Sequence, residues 1–171
     1  METIAGMLSQ LEKDEVVWKL LSNTKYQVTA IWHDDGLTLK TRPDVAKMNK
    51  NVIIDIKTTR DASPRGFARQ CAQLDYPLQA IMQCEGMVKA GGMKQVDRYY
   101  WLAIEKEAPY NYGMYHFTPS DRDDALIIYQ DALKKVREMD KDNPRSYGRE
   151  ALNGYGIIDL QIPNYYFNEV N

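Results

Sequence analysis

The stretch KTRPDVAKMNKNVIIDIKTT, residues 40–59, decides the fold. Its second half carries an apolar run, Val52-Ile53-Ile54, that passes straight into Asp55-Ile56-Lys57. A short β-branched run bounded by polar residues reads as a buried strand, expected over Asn51 to Lys57. Its first half closes an earlier strand, Leu37 to Arg42, and delivers Asp44 just past that strand's end. Upstream, His33-Asp34-Asp35-Gly36 predicts a hairpin turn, because Asp-Gly tolerates positive φ. Tyr26 to Trp32 alternates well enough to be the partner strand, with Val28, Ala30 and Trp32 on one face.

Working outward, the period changes. Residues 3 to 21 recur near helical spacing through Ile4, Met7, Leu8, Leu11, Val16, Leu20 and Leu21, and Ser22-Asn23-Thr24 ends that helix. After Thr59, Ser63 is the expected N-cap of a helix to about Leu74, with Pro64 at its first position. Asp75-Tyr76-Pro77 interrupts it. Asp75 is expected to cap a second helix that runs to about Ala90 and stops at Gly91-Gly92. Val96 to Glu105 and Tyr112 to Phe117 read as strands. Asp121 to Met139 reads as a long amphipathic helix with Ala125, Ile128, Leu133 and Val136 inward. The Pro-, Tyr- and Asn-rich tail from Asn143 predicts little regular structure. The order predicts an α/β fold, a mixed central sheet flanked by helices, in one domain spanning residues 1–171.

The 171 residues suffice for a core without disulfides or structural metal. A hydrophobic share of 44% and a charged share of 27% are those of an ordinary soluble protein. No run approaches the roughly 18 to 20 apolar residues of a membrane span, and the N-terminus lacks a secretory pattern, so a cytoplasmic location is expected. Two cysteines, Cys71 and Cys84, and two histidines, His33 and His116, make a zinc or iron–sulfur site a poor expectation. Buried free thiols fit better. The net charge of −2 hides a local excess: between Lys40 and Arg69 stand eight basic residues against three acids. Such a surface suits a phosphodiester substrate, although a solvated charged face is the plainer reading.

Asp44, Asp55 and Lys57 are the residues that point to chemistry. Two carboxylates at neighbouring strand ends can hold Mg²⁺ or Mn²⁺, which activates water and stabilises a leaving oxygen. Residues 55 and 57 share a sheet face. Lys57 therefore stands beside the metal position, able to orient or deprotonate water or to neutralise developing charge. Ile56 is expected to point into the core while its backbone carbonyl reaches the metal.

The chain resembles the RecE (exodeoxyribonuclease VIII-like) branch of PD-(D/E)xK nucleases, relatives of phage λ exonuclease and of the RecB nuclease domain. The likeness rests on TRPD, on IIDIKTT, and on Tyr76-Pro-Leu-Gln79, which is similar to the family's YxxQ helix. It continues in Trp101-Leu-Ala-Ile-Glu-Lys-Glu-Ala-Pro-Tyr110, in the late helix and in the aromatic Ile-Pro-Asn-Tyr-Tyr tail. These motifs stand in the family's order over nearly the whole chain.

The resemblance implies a restriction-endonuclease-like core, with metal on Asp44, Asp55 and the Ile56 carbonyl. It implies Lys57 as catalytic and Gln79, with Tyr76, facing the site from the next helix at i,i+3 spacing. Thr58 and Thr59 either contact phosphate or finish the strand. Arg42 either touches DNA phosphate or pairs with Asp44. Glu105 reads as a structural strand end. The implied activity is Mg²⁺- or Mn²⁺-dependent hydrolysis of one strand of linear duplex DNA from the 5′ end. Implied partners are double-stranded DNA ends, a phage- or prophage-encoded single-strand annealing protein, and further copies in a ring-like homo-oligomer. Two departures from the family bear on activity. The family's segment before the first helix is not matched, and Gln27 stands where many relatives have a glutamate. The alternative reading is a nuclease-fold protein with weak or absent cleavage that binds DNA ends or a partner protein.

Overall fold

The computed structural model describes residues 2–139 and 160–161. The expected irregular tail from Asn143 lies outside the described residues apart from residues 160 and 161. The chain divides into two compact units, Met1–Arg137 and Glu138–Asn171, and the elements that follow belong to the first, whose last helix ends at the boundary.

Two short helices open the chain, α1 (Glu2–Glu12) and α2 (Glu15–Leu21). The single helix expected over residues 3 to 21 is broken at Asp14. Its carboxylate accepts hydrogen bonds from the backbone N–H of Val16 and Val17 at 3.0 and 3.1 Å, so it caps a new helix. Next come β1 (Lys25–Tyr26), the hairpin β2 (Ala30–Asp34) and β3 (Leu37–Thr41), β4 (Val45–Lys47) and β5 (Val52–Thr59). The strand expected over Tyr26 to Trp32 is thus two strands. Gln27, at φ 53°, turns the chain out of extended geometry between them.

Helices α3 (Pro64–Gln73) and α4 (Tyr76–Lys89) lead to β6 (Arg98–Glu105), β7 (Tyr112–His116) and α5 (Pro119–Glu138). Ser63 caps α3 as expected, accepting from Gly66 N–H at 3.1 Å. Asp75 holds the cap position of α4, but at φ 51° its side chain makes no capping bond.

The central sheet runs β1-β4-β5-β6-β7. Its β5–β6 pair is parallel and the other pairs are antiparallel. Parallel strands need a crossover, and α3 and α4 supply it. The Asp35-Gly36 hairpin forms as expected, yet it stays outside this sheet as a two-stranded ribbon. It packs on α4 instead, through Trp32 and Thr41. A Cβ on Gly86 would fall 2.5 Å from the Trp32 ring and 2.6 Å from Thr41 Cγ2, so glycine permits the close approach. The expected meander therefore gives way to β1 and β4, of which β4 carried too short an apolar signal to stand out.

Alternation along β5 and β6 divides the core into two layers. Ile53, Tyr99, Trp101 and Ala103 face α3, α4 and α5, where Phe67, Ala80, Ile81, Met87, Ala125 and Tyr129 are buried. Val52, Ile54, Leu102 and Ile104 face α1 and α2, against Leu11, Val17 and Leu21. Lys47 closes that second layer by donating Nζ to the carbonyls of Lys19 (2.7 Å) and Ser22 (2.9 Å) at the end of α2. The inward face of α5 is Ala125 and Tyr129, with Leu126 and Leu133 partly covered. Ile128 and Val136, expected inward, are exposed, because the buried stripe of α5 is narrower than its apolar composition suggested.

Candidate active site

Asp44 stands immediately before β4. The Val45↔Ile54 pairing carries it one step further, opposite Asp55 on β5. Asp55 shares its face with Ile53, the face that α3 and α4 cover, and only 2% of the residue is exposed. Its Oδ1 accepts from Gln83 Nε2 on α4 at 3.1 Å. Its Oδ2 lies 2.7 Å from Lys57 Nζ, in an ion pair, and no further donor reaches it. Burial raises the Asp55 carboxyl above the usual carboxylate range, against the pull of Lys57 and of the Gln83 amide, and the nearby Asp44 charge adds to the rise.

Lys57 points from β5 to α4. Its Nζ donates to Gln79 Oε1 at 2.7 Å and sits 4.3 Å from the centre of the Tyr76 ring. An ammonium over an aromatic face is held there electrostatically. Tyr76 and Gln79, one helical turn apart on one helix face, thus reach the same lysine. Tyr76 is fixed in turn by Gln70, whose Nε2 donates to the phenol oxygen at 3.0 Å.

Asp44 is engaged on both oxygens. Gln27 Nε2 donates to Oδ1 at 2.6 Å and the Ile56 backbone N–H to Oδ2 at 2.8 Å. Arg42 does not pair with Asp44 among the described residues; its Nε donates to the Gln27 carbonyl at 3.2 Å. Thr59 finishes the strand. Its buried hydroxyl lies 2.6 Å from Gln70 Oε1 and accepts from Asp61 N–H. Thr58 is exposed beside it. Glu105 ties loops together, accepting from Ala62 N–H at 2.9 Å and from Asn111 Nδ2 at 2.7 Å.

One expectation is overturned. Ile56 does not point into the core; 36% of it is exposed. It lies on the Ile54 face, but the helical cover that buries Ile54 does not extend to it.

Two residues of this site were not singled out by sequence. Gln83 is 1% exposed and bridges Asp55 to Tyr99, whose hydroxyl donates to Gln83 Oε1 at 2.9 Å. Its signal was a polar residue inside the buried α4 stripe of Ala80, Cys84 and Met87. Gln70 had no comparable signal, since its role depends on the α3–α4 corner.

Residues 1–149 match the PDDEXK-like domain of unknown function family (DUF3799). The chain belongs to this family. No curated protein matches it. A solved structure from Eubacterium rectale, named "Putative exonuclease", superposes with a TM-score of 0.66 at 16% identity, over 97% of this chain and 64% of that one. At that identity the likeness shows the fold alone, and the chain spans less than two thirds of that structure. A second solved structure, SSO0001, gives a TM-score of 0.42 at 18% identity over 82% of this chain and 62% of that one. The restriction-endonuclease-like α/β fold expected from sequence is therefore established, and the chain has the fold of PD-(D/E)xK nucleases.

Nucleases of this fold generally use divalent metal. The side chains here fit such an ion as a hard-oxygen, two-carboxylate site. Asp55 Oδ2 is a buried oxygen whose partner is the Lys57 ammonium, and Asp44 lies across from it. Among the described residues no group of three His, Cys, Asp or Glu side chains comes together.

Proposed function

We propose that this protein is a metal-dependent DNA exonuclease of RecE type, hydrolysing one strand of linear duplex DNA from the 5′ end. The observation that carries the reading is the convergence of Lys57 on Asp55 and Gln79, at 2.7 Å each, with Asp44 on the neighbouring strand. Asp44, Asp55 and the Ile56 carbonyl would hold Mg²⁺ or Mn²⁺, which when bound supplies a nucleophilic water and charge stabilisation at the phosphate. Lys57, held between Asp55, Gln79 and the Tyr76 ring, is placed to orient the attacking water and to stabilise the charge that develops on the phosphoryl oxygens. Gln79 and Tyr76 hold the lysine's direction. The family resemblance extends the reading to a single-strand annealing partner and a ring-like assembly on DNA ends.

A second reading has its own observation. Both Asp44 oxygens already accept protein hydrogen bonds, from Gln27 and from Ile56 N–H. A carboxylate so engaged binds metal less readily, and a protein that binds DNA ends without cutting them would have this arrangement. End-labelled linear duplex, incubated with Mg²⁺ or Mn²⁺, separates the two. Metal-dependent release of label that Asp55→Ala and Lys57→Ala both abolish supports the nuclease. Retained label with intact DNA binding rejects it in favour of the second reading.

A further inference from the structure

Beyond Lys57 the chain opens into a cavity of about 480 Å³. It lies where β5 ends and α3 begins. Thr58 and Arg60 line one side, Arg69 and Gln73 the α3 side, and Lys106 the end of β6. Tyr76 belongs to both places, since the same ring that packs under the Lys57 ammonium walls this cavity.

We infer that this cavity is a subsite for a backbone phosphate of nucleic acid, one that holds the strand beside the scissile bond without touching the reacting atoms. The inference rests on the nuclease reading above and adds to it a place and a set of residues. Three cations, Arg60, Arg69 and Lys106, meet there against one carboxylate, Asp61. Asp61 is turned to its own chain. It accepts from Ser63 N–H at 2.8 Å, and its oxygens press so close to Gly66 that a Cβ there would lie 2.0 Å away. The side chains of Arg60 and Lys106 have no hydrogen bond or ion pair among the described residues, and both are exposed. Cations that neutralise nothing within the fold are available to a phosphate. Position adds a second argument. From Lys57 to Thr59 the strand advances about 7 Å, so a chain of nucleotides with one phosphate at Lys57 can set a neighbouring one at the strand end, where this cavity lies. Thr58, Gln70 and Gln73 add hydrogen-bonding groups to the three cations, which suits a hydrated anion.

The test separates binding from cutting. Arg69→Gln and Lys106→Gln, each checked for native circular dichroism, are compared with wild type and with Lys94→Gln. Lys94 is an exposed control before β6, at the far end of that strand from Lys106. A blunt linear DNA duplex without divalent metal is the binding probe, titrated at several salt concentrations. Each cavity variant is expected to bind about 5- to 10-fold more weakly, with a salt slope shallower by about 1, and Lys94→Gln to match wild type. Where the wild type cleaves, KM rises in the variants while kcat stays within about threefold. If wild type cuts in an Asp55-dependent way but the cavity variants keep wild-type affinity and salt slope, the subsite is overturned and the nuclease reading stands. If wild type binds but never cuts, and Arg69→Gln still flattens the salt slope, the subsite stands and the catalytic reading falls.

Discussion

Replacing Gln83 by leucine tests whether the buried carboxylate of Asp55 depends on its amide. Leucine matches glutamine closely in volume, so the change removes two hydrogen bonds and opens little space. It leaves Asp55 Oδ1 without the donor now at 3.1 Å, and the Tyr99 hydroxyl without the acceptor now at 2.9 Å. Both groups are buried, Tyr99 fully so. Each orphaned group costs about 1–3 kcal/mol, and the gain from burying an apolar side chain offsets about 1 kcal/mol. The expected net loss is about 3 kcal/mol, or a fall in Tm of about 6–12 °C for a chain of this size. The pH dependence carries the mechanism. Asp55 already has its pKa raised, mainly by burial. A carboxyl raised in the folded state gives stability that is full below its unfolded value and is lost as pH rises through the folded value. Without the Gln83 donor the folded value climbs further. The stability gap between variant and wild type is therefore smallest in acid and widens as pH rises. Thermal and urea unfolding of metal-free protein from pH 4 to pH 8 measure it. A gap that stays constant across that range, or narrows toward pH 8, refutes the reasoning. A constant gap would mean that Gln83 supports packing alone.

Divalent metal is expected to stabilise the protein, because the ion occupies oxygens that burial otherwise penalises. At a hundredfold excess over Kd the gain is about 2.7 kcal/mol; it is read as a Tm rise with Mn²⁺ that Asp55→Asn removes, and an unchanged Tm in wild type contradicts the site. The Cys84 thiol is pushed up to about 12 and Cys71 to about 11, both mainly by burial. At pH 8 both are thus protonated, and a thiol-reactive chromophore should label the native protein slowly and take up two equivalents only after unfolding; rapid native labelling of Cys84 would contradict the packing. Asp14 has its pKa lowered, chiefly by the Val17 N–H and then by the Tyr112 hydroxyl. Its contribution is present above the ordinary carboxylate range and lost as pH falls through the lowered value, so Asp14→Ala should lower Tm at pH 7 and differ little from wild type near pH 2.

The residues that share one strand were readable from sequence. Period two alone put Asp55 and Lys57 on one face, and the Ile-rich run fixed β5 as the strand carrying them. The Tyr76–Gln79 spacing did the same for α4. What depends on neighbours in space was not readable. Ile56 alternates correctly with Ile54, yet its burial is set by where the helical cover ends. The hairpin's departure from the central sheet follows from one backbone torsion at Gln27 and from the small side of α4 at Gly86. The break in the N-terminal helix turned on Asp14 preferring two backbone donors to a place inside a helix, a competition that apolar periodicity does not register. The local basic excess was real, but its members have different roles. Lys47 closes α2, Arg42 holds the Gln27 carbonyl, and Arg60 and Arg69 line a cavity.

The two carboxylates of the site are held in opposite ways. Asp44 is half-buried at a strand entrance and accepts two neutral hydrogen bonds, so its charge is solvated by the fold itself. Asp55 is buried and leans on one amide at Oδ1 and one ammonium at Oδ2. Each oxygen of the acid whose ionisation burial disfavours has a single donor, and the donor at Oδ2 is a lysine already shared with Gln79 and Tyr76. A second cation entering between Asp44 and Asp55 would relieve that penalty and leave Lys57 to its other two partners. The instability built into Asp55 is therefore itself an argument for a bound ion at this point of the fold.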